Sequence, residues 1–120
     1  MEQPVVVAVD IGGTKMAAAV VDVSGRPVRT HRTETPRSHD PEVLFAAVAR
    51  VADAALADSP VRPVAVGVGC GGPMAAGGVT VTPLNIPGWQ QFPLRARLAE
   101  RYGSPAVVDN RSEEHTSELQ

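Results

Sequence analysis

The stretch that most limits what this chain can become is Val5-Val6-Val7-Ala8-Val9, followed at once by Asp10-Ile11-Gly12-Gly13-Thr14-Lys15. A continuous β-branched run of this kind reads as a strand buried on both faces, as inside an α/β sheet. Two glycines then let the backbone turn sharply and approach a ligand, because neither carries a Cβ to block it. Thr14 adds a hydroxyl and Lys15 a cation beside those amides, while Asp10 ends the strand with a carboxylate. Amides, a hydroxyl and an ammonium suit phosphate oxygens, and a nearby carboxylate suits the magnesium that travels with them. The plainer alternative is a strand-to-strand hairpin with a charged rim. The whole string in register, with Lys15 the only lysine of the chain, favours a phosphate loop over a lone Gly-Gly turn. Neither Gly-x-x-x-x-Gly-Lys-Ser/Thr nor a helix-opening Gly-x-Gly-x-x-Gly fits this spacing.

A length of 120 residues allows one small domain, which buries only about two thirds of its unfolded surface. The formal net charge of −2 lies wholly in residues 111–120, so residues 1–110 are neutral and carry no basic footprint for nucleic acid or a membrane surface. The single Cys70 excludes an internal disulfide framework and a cysteine-rich metal site within the chain. No apolar stretch approaches a membrane span and no signal segment precedes the first strand, so a cytoplasmic location is expected.

After the loop, Met16–Val21 fits helix or strand by periodicity. The Ser24-Gly25 turn and the alternation of Val28, Thr30 and Arg32 favour a β-meander through residue 33, hence three antiparallel strands. His31 and His39 lack acidic or cysteine partners at metal-binding spacing and read as solvated. Asp40-Pro41-Glu42 is a helix start, with an N-cap oxygen, a proline at the first position and an acid near the positive end. Leu44, Ala47, Val48, Val51 and Ala55 continue it as one apolar stripe, and Ser59-Pro60 closes it. Val64–Val68 is a second buried strand, which makes a strand-helix-strand crossover. The loop Gly69-Cys70-Gly71-Gly72-Pro73 just beyond it lies where such sheets bind ligands. Val79–Thr82 alternates as a short strand, and Pro83-Leu84-Asn85-Ile86-Pro87-Gly88-Trp89 is too proline-rich for helix or sheet. Pro93 begins a second helix with Leu94, Leu98 and Tyr102 on one face, stopped by Gly103. Ala106-Val107-Val108 is a third core strand, ending in Asp109-Asn110.

The order Val-Asp-Ile-Gly-Gly-Thr-Lys, Gly-Val-Gly-x-Gly-Gly-Pro, Asn-Ile-Pro-Gly-Trp and Val-x-Asn, running from residue 5 to 110, resembles the ROK family (repressor, open reading frame, kinase). The resemblance implies an α/β, actin-like (ribonuclease-H-like) ATPase lobe with a mixed five-stranded sheet and helices, truncated here. A second lobe would complete a cleft for sugar and ATP. Family kinases phosphorylate hexoses such as glucose, N-acetylglucosamine or N-acetylmannosamine. Family regulators carry a DNA-binding helix-turn-helix before the first strand. A first strand starting at residue 4 or 5 leaves no room for that module, so a glucokinase-like kinase is expected over a sugar-sensing regulator that has lost its DNA-binding segment. A non-catalytic binding module of the same superfold is a third reading, which the Asn-Ile-Pro-Gly-Trp segment argues against.

Carried over residue by residue, the resemblance implies ATP phosphates on Gly12, Gly13, Thr14 and Lys15. Asp10 would sit near Mg2+, and the hexose hydroxyls near Gly72, Asn85 and Asn110. The family's zinc site falls outside this chain, and the parent protein is expected to be a homo-oligomer through its missing lobe. The Asp that follows Asn110's counterpart takes the proton from the attacking sugar hydroxyl. Arg111 stands in its place and cannot accept a proton at neutral pH. Residues 111–120, Arg-Ser-Glu-Glu-His-Thr-Ser-Glu-Leu-Gln, also resemble the translation of a widely used sequencing-library adapter. They are expected to be a non-native tail, with residues 1–110 an incomplete amino-terminal lobe that is catalytically inactive, marginally stable and apolar on part of its surface.

Overall fold

The computed structural model describes residues 3–57 and 59–110; the expected adapter-like tail lies outside the described residues. Three strands come first: β1 (Val5–Ile11), β2 (Lys15–Val21) and β3 (Pro27–Glu34). Helix α1 (Pro41–Leu56), β4 (Pro63–Cys70), α2 (Leu94–Tyr102) and β5 (Ala106–Asn110) follow. They form one mixed sheet in the order β3-β2-β1-β4-β5. The first three strands are an antiparallel meander, while β4 and β5 run parallel to β1. The meander and the parallel β1–β4 crossover are as expected from the local patterns; the sequence marks β5 only as a core strand, and its parallel place beside β4 is a finding of the structure.

The two crossovers, β1 to β4 around α1 and β4 to β5 around α2, step the same way across the sheet. Right-handedness therefore lays both helices on one face. Residues paired across strands share a face. The rows Val20-Val7-Val66, Ala18-Val9-Val68-Val108 and Met16-Ile11-Cys70 all lie on that covered face and are all buried. Against them pack Leu44, Ala47, Val48, Val51 and Ala55 of α1 with Leu94, Leu98 and Tyr102 of α2. Each helix has the termini that its sequence provides. The Asp40 carboxylate accepts the Glu42 amide at 2.9 Å, and α2 ends at Gly103 in the left-handed region, φ 64°.

The opposite face, with Ala8, Ala17, Ala65, Gly67 and Val107, has no helix over it among the described residues, and Val107 is 64% exposed. Apolar surface is therefore open on this face among the described residues. No helix among the described residues is long and apolar enough to cross a membrane.

The short strand expected over Val79–Thr82 does not form. Only Val81 pairs, with Met74 on one side and Phe92 on the other. A one-turn 3-10 helix, Ala76–Gly78, precedes it, with Gly77 and Gly78 both at φ 70°. Pro83 directly after Thr82 has no amide to extend a ladder. The alternation of Val79 to Thr82 therefore has too little backbone on either side to become sheet.

Candidate functional site

The Gly12-Gly13-Thr14 link between β1 and β2 is a tight hairpin in which the Gly12 amide donates to the Lys15 carbonyl at 2.9 Å. The hairpin that the sequence offers as the plainer alternative is thus the observed geometry. Gly12 serves the turn itself, and a Cβ on it would stand 3.1 Å from that carbonyl oxygen. Two carbonyls of the turn are taken by one residue beyond β3. The Thr35 hydroxyl donates to the Gly12 carbonyl at 2.7 Å, and the Thr35 amide donates to the Thr14 carbonyl at 2.9 Å. Among the described residues, the amides of Gly13 and Thr14 donate to no protein acceptor. The exposed tip of the loop is therefore a run of donors, with the Thr14 hydroxyl and the Lys15 ammonium beside it.

Parallel β1, β4 and β5 bring their carboxyl ends to the same edge of the sheet, and the registers align what they carry. Asp10 pairs with Gly69 and Gly69 with Asp109; Ile11 pairs with Cys70 and Cys70 with Asn110. Asp10 and Asp109 thus flank Gly69 on one face, with Asn110 one step further on. The Asp109 carboxylate accepts the Asn110 amide at 2.9 Å, which steadies the end of β5.

Two contacts that no local pattern announces close this arrangement. A Cβ on Gly72 would lie 2.7 Å from Asn110 Nδ2, so the loop after β4 runs directly against the Asn110 amide. A Cβ on Gly13 would lie 2.6 Å from the Asn85 Cβ and 3.1 Å from its carbonyl oxygen. The proline-rich loop therefore touches the hairpin tip. Gly13, Thr14, Lys15, Asp10, Gly72, Asn85 and Asn110 all gather at one end of the sheet, and Asn85 and Asn110 are both exposed there.

The loop that carries Asn85 is braced from below. Trp89 is wholly buried, stacks on Phe92 at 4.8 Å between ring centroids, and donates its indole N–H to the Pro41 carbonyl at 3.2 Å. Gly88 lies so close to α1 that an added Cβ would be 2.6 Å from Leu44 Cδ1. Asn85 is thus set by an anchor on the amino end of α1, a role the sequence leaves hidden in an apparently irregular segment.

Cys70 faces the covered core, and burial, with the nearby Asp10 charge, pushes its thiol up to about 12. It is a packing residue with no reactive thiolate. Among the described residues no three His, Cys, Asp or Glu side chains cluster as a metal site. His31 is half-buried on β3 and His39 is exposed. Thr35, bonded to the hairpin, is the contact at this site that sequence reasoning missed. Its one local sign was a Thr-Pro pair directly after a strand.

Comparison with known proteins bears on this arrangement. The family model described as "ROK family" matches residues 6–115. The chain belongs to the ROK family. A glucokinase from Streptomyces coelicolor is 38% identical over 104 residues, which cover 87% of this chain and 32% of the relative. The chain therefore spans about a third of the length of such ROK relatives. Among solved structures, a ROK glucokinase from Streptomyces griseus in complex with glucose and AMPPNP superposes with a TM-score of 0.76 at 36% identity, covering 88% of this chain and 33% of that one. A ROK hexokinase from Thermus thermophilus gives 0.78 at 38% identity, covering 88% and 35%. The expected ROK sheet, mixed and five-stranded with helices, is the one found.

Proposed function

We propose that this chain is the amino-terminal lobe portion of an ATP-dependent hexose kinase, glucokinase-like, that transfers the γ-phosphoryl group to the sugar 6-hydroxyl. The observation that supports it is the meeting of an open-amide hairpin, Gly13-Thr14-Lys15, with the Asn85 loop, the Gly72 loop and Asn110 at the end of β5, all at the carboxyl ends of parallel strands. That edge of an α/β sheet is where ligands bind. The named relatives are glucokinases and a hexokinase, one of them holding glucose and an ATP analogue, which favours a kinase over a regulator.

In this reading Gly13 and Thr14 donate backbone amides to ATP phosphates, and Lys15 neutralises charge as it develops on them. Gly12 shapes the turn that presents them. Asp10 would face a hydrated Mg2+, which supplies further neutralisation of the phosphates when bound. Asn85, Asn110 and the backbone at Gly72 orient glucose. The proton acceptor belongs immediately after Asn110, where this chain has Arg111. We assign residues 1–110 to the incomplete lobe and 111–120 to a non-native tail. The parent is a cytoplasmic homo-oligomer in this account, since ATP is supplied there.

The test is a coupled assay for ADP formation with glucose and ATP. The full-length gene product turns over, Lys15→Ala raises KM for ATP with loss of kcat, and residues 1–120 alone give no rate above a protein-free blank. An inactive full-length product, or an active 120-residue chain, overturns the proposal.

A further inference from the structure

Apart from aromatic and thiol groups, Thr35 is the one buried polar side chain among the described residues, 9% exposed. Its hydrogen-bonding capacity is directed across the chain to the hairpin, 23 residues away in sequence. The hydroxyl takes the Gly12 carbonyl at 2.7 Å, and the amide takes the Thr14 carbonyl at 2.9 Å. A peptide unit is planar, so fixing the Gly12 carbonyl fixes the direction of the Gly13 amide on the same unit. Holding the Thr14 carbonyl likewise fixes the Lys15 peptide on the far side of the tip. Glycines at 12 and 13 leave this turn conformationally loose on its own, because they populate both halves of φ space. Something outside the loop must choose one arrangement. Pro36, directly after Thr35, restricts Thr35 to extended backbone and so narrows where these two donors can point.

We infer that Thr35 is the positioning residue for nucleotide. By holding the Gly12 carbonyl inward, it keeps the Gly13 amide on the same peptide unit aimed outward at phosphate before any ligand arrives, and its hold on the Thr14 carbonyl braces the far side of the tip. Thr35 itself touches no phosphate in this account. Its effect is preorganisation, so it acts on nucleotide affinity and leaves sugar affinity alone. The inference rests on the nucleotide reading of the hairpin proposed above.

The experiment uses the full-length protein and titrates AMPPNP with Mg2+ by calorimetry, alongside KM for ATP and for glucose. Thr35→Val keeps the shape and the backbone amide but removes the hydroxyl, which frees the half-buried Gly12 carbonyl from its Thr35 partner. The expected result is roughly tenfold weaker AMPPNP binding and a matching rise in KM for ATP, with KM for glucose unchanged. Thr35→Ser, which restores the hydroxyl, returns both nucleotide values to within about twofold of wild type. Should the Val variant fail to fold, Thr35→Ala is read in the same way. Equal AMPPNP affinity for wild type and the hydroxyl-less variant overturns the inference while leaving the nucleotide site standing. So does a Ser variant as weak as Val, or an equal rise in both KM values. A wild-type protein that binds no AMPPNP overturns the inference and the nucleotide reading together.

Discussion

Replacing Gly72 by Ala in the full-length protein separates sugar positioning from folding. The backbone at Gly72 is not in the left-handed region, so an alanine is not strained there by its own φ. Its Cβ would lie 2.7 Å from Asn110 Nδ2 and 3.1 Å from both Cγ and Oδ1, whereas ordinary contact begins at 3.4 Å. The amide must therefore retreat by about 0.7 Å. A misplacement of about 1 Å at a reacting centre costs roughly a hundredfold. A shift of this size should therefore lower kcat/KM for glucose about thirtyfold, equivalent to about 2 kcal/mol of transition-state stabilisation. The neighbouring Gly71 supplies the control, because a Cβ there meets nothing within 4 Å, and Gly71→Ala should behave as wild type. Steady-state kinetics varying glucose at saturating ATP, with thermal melts of both variants, is the assay. Unchanged glucose kinetics in Gly72→Ala would refute the reasoning. A loss confined to KM for ATP, or an equal loss in Gly71→Ala, would refute it equally.

Other outcomes follow from the same geometry. Trp89→Ala removes a fully buried ring stacked on Phe92 and should destabilise the lobe by about 3–5 kcal/mol in urea denaturation. Phe92→Leu, which keeps most of the volume, should cost less. The Cys70 thiol ionises near 9.0 when unfolded and near 12 when folded, a raised value. Its contribution to stability is therefore complete below pH 9 and lost between pH 9 and 12, at up to about 1.4 kcal/mol per pH unit. Cys70→Val should flatten that part of the decline in urea midpoints. Burial and the Asp53 hydrogen bond also raise Tyr102, so a residual alkaline slope should remain. An independent sequencing library should read an Asp codon directly after Asn110, and the same ten-residue tail in genomic reads would reject its assignment as non-native.

Much of the fold is visible in the sequence because it depends on local periodicity. The β-branched runs before Asp10 and Gly69, the three- and four-residue spacing from Leu44 to Ala55, and Asp40 and Gly103 at the helix ends each act over a few residues. The candidate site is visible as residue types but not as an arrangement. Nothing near Gly13 in the chain announces Asn85 against it, and nothing near Gly12 announces Thr35. Such contacts are made by the crossovers and by the Trp89 anchor, which are tertiary. The failed strand at Val79–Thr82 has the same origin. Alternation was present, but the partners needed to use it were limited to Met74 and Phe92 at one position. The hairpin and the phosphate loop, opposed as alternatives by sequence, prove compatible because the Gly12 amide closes the turn while the next two amides stay open.

The most direct test is a crystal structure of the full-length protein with AMPPNP, Mg2+ and glucose. The account predicts phosphate oxygens within hydrogen-bond distance of the Gly13 and Thr14 amides, with Thr35 still bonded to the Gly12 carbonyl and the sugar beside Asn110. Phosphates bound anywhere else, with the hairpin tip left facing solvent, would contradict it.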